Sequence, residues 1–387
     1  RKFGFGVATQ IDAAEAYRPL RVLQSVFIVL FLCLLLSALA LLIFSYANVS
    51  WQRRLSQAEL KLRELGQYTL EERIGEGGMG VVYRARHALL RRDTAVKLLL
   101  PDRATAGAIE RFEREVRLTC QLSHPNTIQI YDYGHTPDGI FYYAMEFLRG
   151  VNLHELVARF GPQPEGRVIH ILAQICDSLA EAHALGLIHR DIKPANVFLC
   201  RRGGVADCVK VLDFGLVREY SNGEISSAKG DDDAMEGTPW FMPPEAIKGT
   251  GKLDPRSDLY SVGGLGYYLL TGQHIFDAET ISEIHDRQLN AAPIPPSQRT
   301  SQPISAEMEQ LLLHCLAKET EARPASANDL RVRLLGLAAA ADWPMKARVD
   351  WWDTYEHQLV ATPTEAAANA STAMVTVKID LASRRQQ

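Results

Sequence analysis

Three stretches of the chain differ in how their hydrophobic and polar positions alternate. From Val22 to Phe44 no residue is charged, and leucine, isoleucine, valine, phenylalanine and alanine dominate. A helix of this length rises about 35 Å, which exceeds the hydrocarbon thickness of about 30 Å. The pattern therefore predicts a membrane-spanning helix at 22–44. A buried core helix and a signal peptide are the alternatives, but the hydrophobic part of a signal peptide is usually shorter.

The second stretch has a heptad pattern. Its apolar positions are four or three residues apart, and arginine, glutamine, lysine and glutamate fill the others; the apolar set is Trp51, Leu55, Ala58, Leu62 and Leu65. This pattern predicts a helical stalk over 45–67. It fits a parallel coiled coil that dimerises the chain through residues 51–65. It fits equally well a single amphipathic helix on the membrane or on the next domain, because two heptads are short.

From residue 68 onward, strand-like segments begin, and glycines interrupt the first of them. Leu70 to Val82 reads LEERIGEGGMGVV, in which Gly75, Gly77 and Gly80 form the pattern G-x-G-x-x-G. Dinucleotide-binding folds use this pattern at the start of a helix. Here β-prone residues follow the last glycine instead. The sequence therefore predicts a strand–turn–strand hairpin whose backbone amides can cover phosphate groups.

The next apolar strand contains a single lysine. Lys97 lies within the run TAVKLL, and a buried ammonium group is costly unless an anion lies nearby. The helical stretch 108–122 offers Glu110, Glu113 and Glu115 as partners. A lysine that reaches solvent from the edge of a sheet is the alternative.

A short loop brings a carboxylate, a cation and an amide together in sequence. The octapeptide HRDIKPAN occupies 189–196, and DFG follows at 213–215. Asp191, Asn196 and Asp213 supply the hard oxygen atoms that magnesium prefers. Phosphoryl transfer needs alignment of the reactants and positive charge beside the phosphates. The two motifs therefore predict a site for two magnesium ions and a nucleotide phosphate beside a hydroxyl group.

Composition sets limits on this interpretation. The chain has 387 residues, 47% of them hydrophobic, and a net charge of −4, which is typical of a globular protein without a nucleic-acid partner. Six cysteines without a C-x-x-C pair indicate reduced thiols in a cytosolic setting, rather than a Cys200–Cys208 bridge across a hairpin. Because the first residue is Arg1 and not Met, we expect a fragment or a processed product.

In order and spacing, these motifs resemble those of eukaryotic-type (Hanks-type) serine/threonine protein kinases, and most of all the membrane-anchored bacterial branch. The resemblance covers 68–337. It implies an α+β, bilobal protein-kinase fold, with a small β-rich N-lobe and a large α-helical C-lobe, here preceded by one transmembrane helix. The remaining segments are an N-terminal flank at 1–21, a helical extension at 338–361 and a tail at 362–387 whose composition predicts disorder.

The resemblance assigns a role to each catalytic residue. Asp191 would accept or orient the proton of the substrate hydroxyl, and Lys193 would steady the transferred phosphoryl group. Asn196 would bind one magnesium ion and Asp213 would bridge both. The implied cofactors are ATP and Mg²⁺, for which Mn²⁺ can substitute.

Lys97 would hold the α- and β-phosphates and pair with Glu115, which has the family's spacing to the sequence His-Pro-Asn at 124–126. Met145 falls at the gatekeeper position, and backbone groups of the hinge that follows would meet adenine. The residues expected to contact ATP are Ile74, Gly75, Glu76, Gly77, Gly78, Met79, Gly80, Val81, Val82, Ala95, Lys97, Met145, Glu146 and Leu148.

A regulatory segment is implied between Asp213 and Glu245. Glu245 closes it and would pair with Arg323, while Asp258 would brace the catalytic loop; Pro243 replaces the alanine usual in the family. Arg190 would need an anion, either a phosphate or one of the aspartates at 231–233. The candidate phosphorylation sites are Ser226, Ser227 and Thr238.

The resulting prediction is a serine/threonine protein kinase with autophosphorylation, in transmembrane signalling. Lys193 and Thr238 favour serine and threonine over tyrosine as acceptors. The alternative is a membrane-anchored pseudokinase scaffold, although the catalytic set is complete. We expect a single-pass protein of the inner (plasma) membrane with a cytoplasmic kinase domain. That orientation follows from the need for ATP, because positive charges flank 22–44 equally on both sides. The expected partners are protein substrates, lipid around 22–44 and, if the stalk pairs, a second copy.

Overall fold

A computed structural model describes most of the chain beyond residue 63. The described ranges are 64–65, 67–77, 80–99, 106–136, 140–213, 218–221, 224–225, 239–249 and 254–360, together with Leu30, Leu34 and Leu35. Apart from those three leucines, the predicted membrane segment 22–44 lies outside the described residues. Among the residues that are described, no helix is long and apolar enough to cross a membrane. The contacts divide the chain into units 1–64 and 65–387, and the second unit contains both lobes.

The N-lobe is an antiparallel sheet with one helix, α1 (Ala106–Thr119). Its strands are β1 (Glu64–Leu65), β2 (Tyr68–Gly77), β3 (Gly80–His87), β4 (Asp93–Leu98), β5 (Ile130–His135) and β6 (Phe141–Glu146). They lie in the order β1-β2-β3-β4-β6-β5. A small core lies beneath α1, where Phe112 and Val116 of the helix pack against Leu99, which follows β4, and Tyr143 of β6.

The predicted stalk differs from the structure at its end. The heptad pattern predicts a helix over 45–67, but Glu64–Leu65 is extended, and β1 belongs to the sheet. Glycine is a poor helix former, so Gly66 weakens the helical prediction at this point of the sequence. Pairing with the sheet edge also gives hydrogen-bond partners to backbone groups that would lack them at the end of a helix. The rest of the heptad pattern, 51–63, lies outside the described residues.

The C-lobe is mainly helical. Its helices are α2 (Leu153–Phe160), α3 (Glu165–Ala184), α4 (Pro244–Lys248), α5 (Arg256–Thr271), α6 (Ile281–Asn290), α7 (Ala306–Cys315), α8 (Ala327–Leu335) and α9 (Met345–Val360). Two small sheets accompany them, in the orders β10-β9-β7 and β12-β11-β8. The strands are β7 (Gly150–Asn152), β8 (Leu187–Ile188), β9 (Val197–Arg202), β10 (Val205–Val211), β11 (Arg218–Ser221) and β12 (Glu224–Ile225). This arrangement confirms the predicted bilobal fold.

Local sequence explains where several helices begin and how closely they pack. Asn152 caps α2 through its side chain, and Thr280 forms a capping box with Glu283 at the start of α6. Helix α5 is buried from Ser257 to Thr271, and one of its faces packs on α7. A Cβ at Gly263 would lie 2.6 Å from the Cβ of Cys315, and one at Gly266 would lie 2.7 Å from Leu312. Glycine is therefore required for this close approach.

The C-terminal helix α9 packs on the back of the C-lobe through a buried ion pair. Arg167 of α3 binds Asp207 of β10 at 2.7 Å, and neither side chain is exposed to solvent. The indoles of Trp343 and Trp352 donate to the same carboxylate at 2.7 and 2.6 Å. The Arg167 guanidinium also lies 3.8 Å from the ring centroid of Trp351. Three tryptophans of the predicted extension thus surround one buried charge pair.

Candidate active site

The loop 189–196 is held from below by one buried carboxylate. Asp258, in the first turn of α5, accepts from the backbone amides of His189 at 2.9 Å and Arg190 at 2.8 Å. His183 of α3 contacts the same carboxylate at 2.8 Å. Burial acts to raise the pKa of Asp258, but the His183 contact and nearby donors lower it below its usual value. Arg190 has a φ of 68°, a strained conformation for a residue with a Cβ. The hydrogen bond from its amide to Asp258 stabilises this backbone conformation.

Asp191 is positioned by two neighbours on the same loop. Lys193 Nζ lies 2.7 Å from its Oδ2. The Asn196 side-chain amide donates to the Asp191 carbonyl and to Oδ2, both at 2.9 Å. Lys193 therefore lies beside the Asp191 carboxylate, and its role at the phosphoryl group stays a prediction.

Asp213 is brought to this loop by the residue before it. The Leu212 amide donates to the Asn196 carbonyl at 2.8 Å, and the Leu212 carbonyl lies 3.0 Å from Nε2 of His189. The Asp191 amide donates to Nδ1 of His189 at 3.3 Å, which is consistent with a hydrogen on Nε2. His189 therefore connects two loops, in agreement with a structural role. Asp213 follows with a φ of 53°.

Lys97 reaches across to Asp213. Its Nζ lies 3.1 Å from Asp213 Oδ1, and the ring centroid of Tyr143 lies 5.5 Å away. Loss of hydration acts to raise the pKa of Asp213, but the charge of Lys97 outweighs it and lowers that pKa. Glu115 lies on α1, but its side chain is outside the described part of the structure. Its pairing with Lys97 stays a prediction.

The glycine-rich hairpin has the predicted strand–turn–strand form. Strands β2 and β3 pair in antiparallel register from Tyr68↔His87 to Gly77↔Gly80. A Cβ at Gly80 would lie 2.0 Å from the carbonyl oxygen of Leu98, so only glycine fits there. Gly78 and Met79 at the tip, and the side chain of Glu76, lie outside the described residues.

The predicted adenine walls lie on adjacent strands. Ala95 is buried on β4, opposite Met145 of β6, while Val82 is half-buried and Ile74 is 46% exposed. Leu148 follows β6 and is half-buried.

Glu146 is tied into the protein by both its amide and its side chain. Its backbone amide donates to Gln129 at 3.0 Å. Its buried carboxylate lies 2.5 Å from Lys210 Nζ and also contacts Arg202. Its amide is therefore already satisfied, which leaves its carbonyl and the groups after it for adenine.

The side-chain oxygen atoms at this site suit a magnesium ion that is also bound by the phosphates of a nucleotide. Within the described ranges, no three His, Cys, Asp or Glu side chains form a metal-binding group. Asn196 uses its nitrogen for both bonds to Asp191, so its Oδ1 is the atom that can bind a metal ion. With Asp213 this gives hard oxygen ligands, and magnesium usually completes such a set with water and phosphate oxygens.

The end of the regulatory segment is fixed by an ion pair. Arg323 binds both carboxylate oxygens of Glu245, at 2.7 and 2.8 Å, and Ser257 donates to Glu245 at 2.6 Å. The candidate phosphorylation sites and the aspartates at 231–233 lie outside the described residues. The anion expected near Arg190 therefore stays a prediction.

Glu245→Gln is expected to reduce the free energy of unfolding by about 2 kcal/mol at neutral pH, because a charged hydrogen-bonded pair is lost. Burial acts to raise the pKa of Glu245, but Arg323 and Ser257 lower it below its usual value. A depressed folded pKa means that this stability is present above the unfolded pKa and is lost as the pH falls through the folded one.

Urea denaturation of the variant and the natural chain at pH 7 and at pH 4 measures the difference. The deficit should shrink at the lower pH as the natural glutamate begins to be protonated, and a deficit independent of pH would contradict the assignment. Glu110→Gln, at an exposed carboxylate on α1 in the other lobe, is the control and should change little.

Sequence reasoning missed three structural residues. Lys210 lies in the apolar run VKVL, so the argument applied to Lys97 would have predicted an anionic partner for it. His183 had no such signal, because a histidine on a long helix is common. Arg167 is likewise indistinguishable in sequence from a surface arginine.

Several known proteins are similar to this chain in sequence. A family model described as protein kinase domain matches residues 68–333. The chain is 39% identical over 273 residues to the serine/threonine-protein kinase pkn3 of Myxococcus xanthus, covering 69% of this chain and 49% of that protein. It is 36% identical over 273 residues to the serine/threonine-protein kinase PknB of Mycobacterium tuberculosis, covering 70% of this chain and 42% of that protein. The chain thus spans less than half the length of these curated relatives.

A two-lobed fold with a glycine-rich hairpin, a lysine–aspartate pair and a braced catalytic loop is the arrangement of a protein kinase domain. The chain belongs to the protein kinase family. Within it the chain is a bacterial Hanks-type serine/threonine kinase, which confirms that part of the resemblance; its place in the membrane-anchored branch stays a prediction.

Proposed function

We propose that the protein transfers the γ-phosphoryl group of ATP to serine and threonine hydroxyls of proteins, including its own. The observation that best supports this is the convergence of Lys97 on Asp213 at 3.1 Å beside Asp191, with Lys193 and Asn196 both bound to the Asp191 carboxylate. A pseudokinase scaffold would not need this set, and each of its members is present.

In the proposed reaction Asp191 orients the acceptor hydroxyl and takes its proton as the oxygen attacks the γ-phosphorus. The bond from the γ-phosphorus to the β-phosphate oxygen breaks, and ADP leaves. Lys193, beside Asp191, places positive charge next to the transferred group, and Lys97 holds the α- and β-phosphates. Magnesium at Asn196 and Asp213 would neutralise phosphate charge.

The setting we propose is the inner membrane. The charge-free segment 22–44 supports a single span, and ATP-dependent chemistry supports a cytoplasmic kinase domain. Dimerisation through 51–63 would bring two kinase domains together for autophosphorylation at Ser226, Ser227 or Thr238. Cross-linking in membranes that gives only monomers would exclude the dimer.

The decisive experiment uses the full-length protein, magnesium and γ-labelled ATP. The acceptors are three peptides that differ only in having serine, threonine or tyrosine at one position. We expect label in the serine and threonine peptides and in the protein itself, and none in the tyrosine peptide. Excess EDTA should abolish the transfer, because the phosphates lose their metal ions.

The peptide labelling tests phosphoryl transfer and the acceptor class separately. Label in none of the peptides and none in the protein would support the pseudokinase scaffold and refute the proposal. Preferential labelling of the tyrosine peptide would refute the acceptor class alone.

A further inference from the structure

Two cysteines face each other across the hairpin that joins the catalytic loop to Asp213. Cys200 of β9 and Cys208 of β10 are direct partners in antiparallel register. Directly opposed residues in such a pair lie on the same face of the sheet, with Cβ atoms about 4.5–5.5 Å apart. Both thiols are free, Cys200 is 2% exposed and Cys208 is half-buried.

The Cys200 thiol reaches across to the opposite strand. Its Sγ donates to the carbonyl oxygen of Cys208 at 3.4 Å. A disulfide requires Cβ atoms about 3.5–4.5 Å apart, so the strands must approach slightly. The register shifts between Val205 and Cys208, directly beside the pair. Such an irregularity increases local twist and loosens the ladder, which makes this approach easier.

The surroundings favour Cys208 as the reactive thiol. The hydrogen bond from Cys200 and the charges of Lys210 and Arg202 outweigh desolvation and lower the pKa of Cys208 to about 6. The pKa of Cys200 is raised, because it keeps its hydrogen for that bond and is buried. The more exposed sulfur is thus the one that ionises, and its neighbour is placed to resolve the oxidised form.

We propose that Cys200 and Cys208 form a reversible redox site that a peroxide closes into a disulfide. The Cys208 thiolate attacks one peroxide oxygen, the O–O bond breaks, and the departing hydroxide is protonated to water. The sulfur of Cys200 then attacks the resulting sulfenic acid, so that an S–S bond forms and the S–O bond breaks. The thiol proton leaves with that oxygen as a second water. Two thiols and one peroxide therefore give one disulfide and two waters.

The site differs from a structural disulfide. A disulfide between two strands that must move together to form it is more easily reduced. A dithiol reductant can then break it by thiol–disulfide exchange. This suits a cytosolic domain, where disulfides are usually transient. The bond would join β9, which starts after Asn196, to β10, which ends before Asp213. Its formation does not depend on phosphoryl transfer, so it is testable whether or not the protein is an active kinase.

The test is peptide mapping of the full-length protein. Reduced protein is treated with hydrogen peroxide, remaining thiols are blocked with iodoacetamide, and the chain is digested with trypsin. Cleavage after Arg201 and Arg202 separates the two cysteines, so a disulfide would hold their two peptides together. We expect this linked species, lacking two hydrogens, to form at pH 7 and to disappear after dithiothreitol. Cys208 should react roughly tenfold or more faster than the exposed Cys120, whose pKa burial raises.

Two matched variants separate the steps. In C200S the reaction should stop at a sulfenic acid on Cys208 that dimedone traps, and in C208S Cys200 should remain reduced. The linked species should also form more slowly in urea-unfolded protein, where the register no longer holds the thiols together. Full alkylation of both cysteines under conditions that oxidise Cys120, or equally fast linkage in the unfolded chain, would overturn the proposal.

Discussion

Asp213→Asn is expected to lower kcat for phosphoryl transfer by about 10³-fold, roughly 4 kcal/mol of activation free energy. Asparagine has the same shape but no charge, so the variant removes one anionic ligand from the proposed magnesium site. It also removes the partner that lies 3.1 Å from Lys97. The Asp213 side chain is 46% exposed, so the effect on folding should be small.

The measurement is ADP release by the full-length protein over a range of magnesium concentrations. The variant should need more magnesium for half-maximal rate, because affinity for the ion falls with the lost charge. Asp286→Asn, at an exposed carboxylate on α6, is the matched control and should leave kcat within about twofold. A variant at Asp213 whose kcat stays within tenfold of the natural chain would remove Asp213 from the proposed mechanism.

The same chain shows which parts of a site a sequence can predict. Short motifs contain residues whose neighbours in space are also neighbours in sequence. Asp191, Lys193 and Asn196 therefore contact each other as their spacing in one loop predicts. The antiparallel pairing of β3 with β4 likewise joins two segments that are close in sequence, and the sequence predicts each of them as a strand.

Contacts between distant segments needed the family resemblance or were missed. Arg323 and Glu245 were predicted only because the family pairs them, since 78 positions separate them. Lys210 and Glu146 pair across the two lobes, and no periodicity marks either residue. The predicted end of the helical stalk was wrong for a related reason. A heptad pattern contains no information about a distant sheet edge with which Glu64–Leu65 can pair.

The buried pair behind the C-lobe gives the largest expected effect on stability. Asp207→Asn should reduce the free energy of unfolding by about 3–4 kcal/mol, because it leaves Arg167 buried without a counter-charge. Asparagine is the right replacement, since Asp207 has a φ of 56° and asparagine tolerates that conformation better than alanine. Burial lowers the pKa of Arg167 and the charge of Asp207 opposes this, so the arginine depends on that carboxylate.

Urea denaturation followed by tryptophan fluorescence measures the loss, since Trp343 and Trp352 both donate to Asp207. Arg201→Ala is the matched control, because it breaks an exposed ion pair with Asp353 of α9. It should lower the free energy of unfolding much less. Adding Arg167→Met to Asp207→Asn should recover part of the loss, since no buried charge is then left unpaired. If the double variant is less stable than Asp207→Asn alone, the packing of Arg167 on the tryptophans, and not its charge, holds α9 in place.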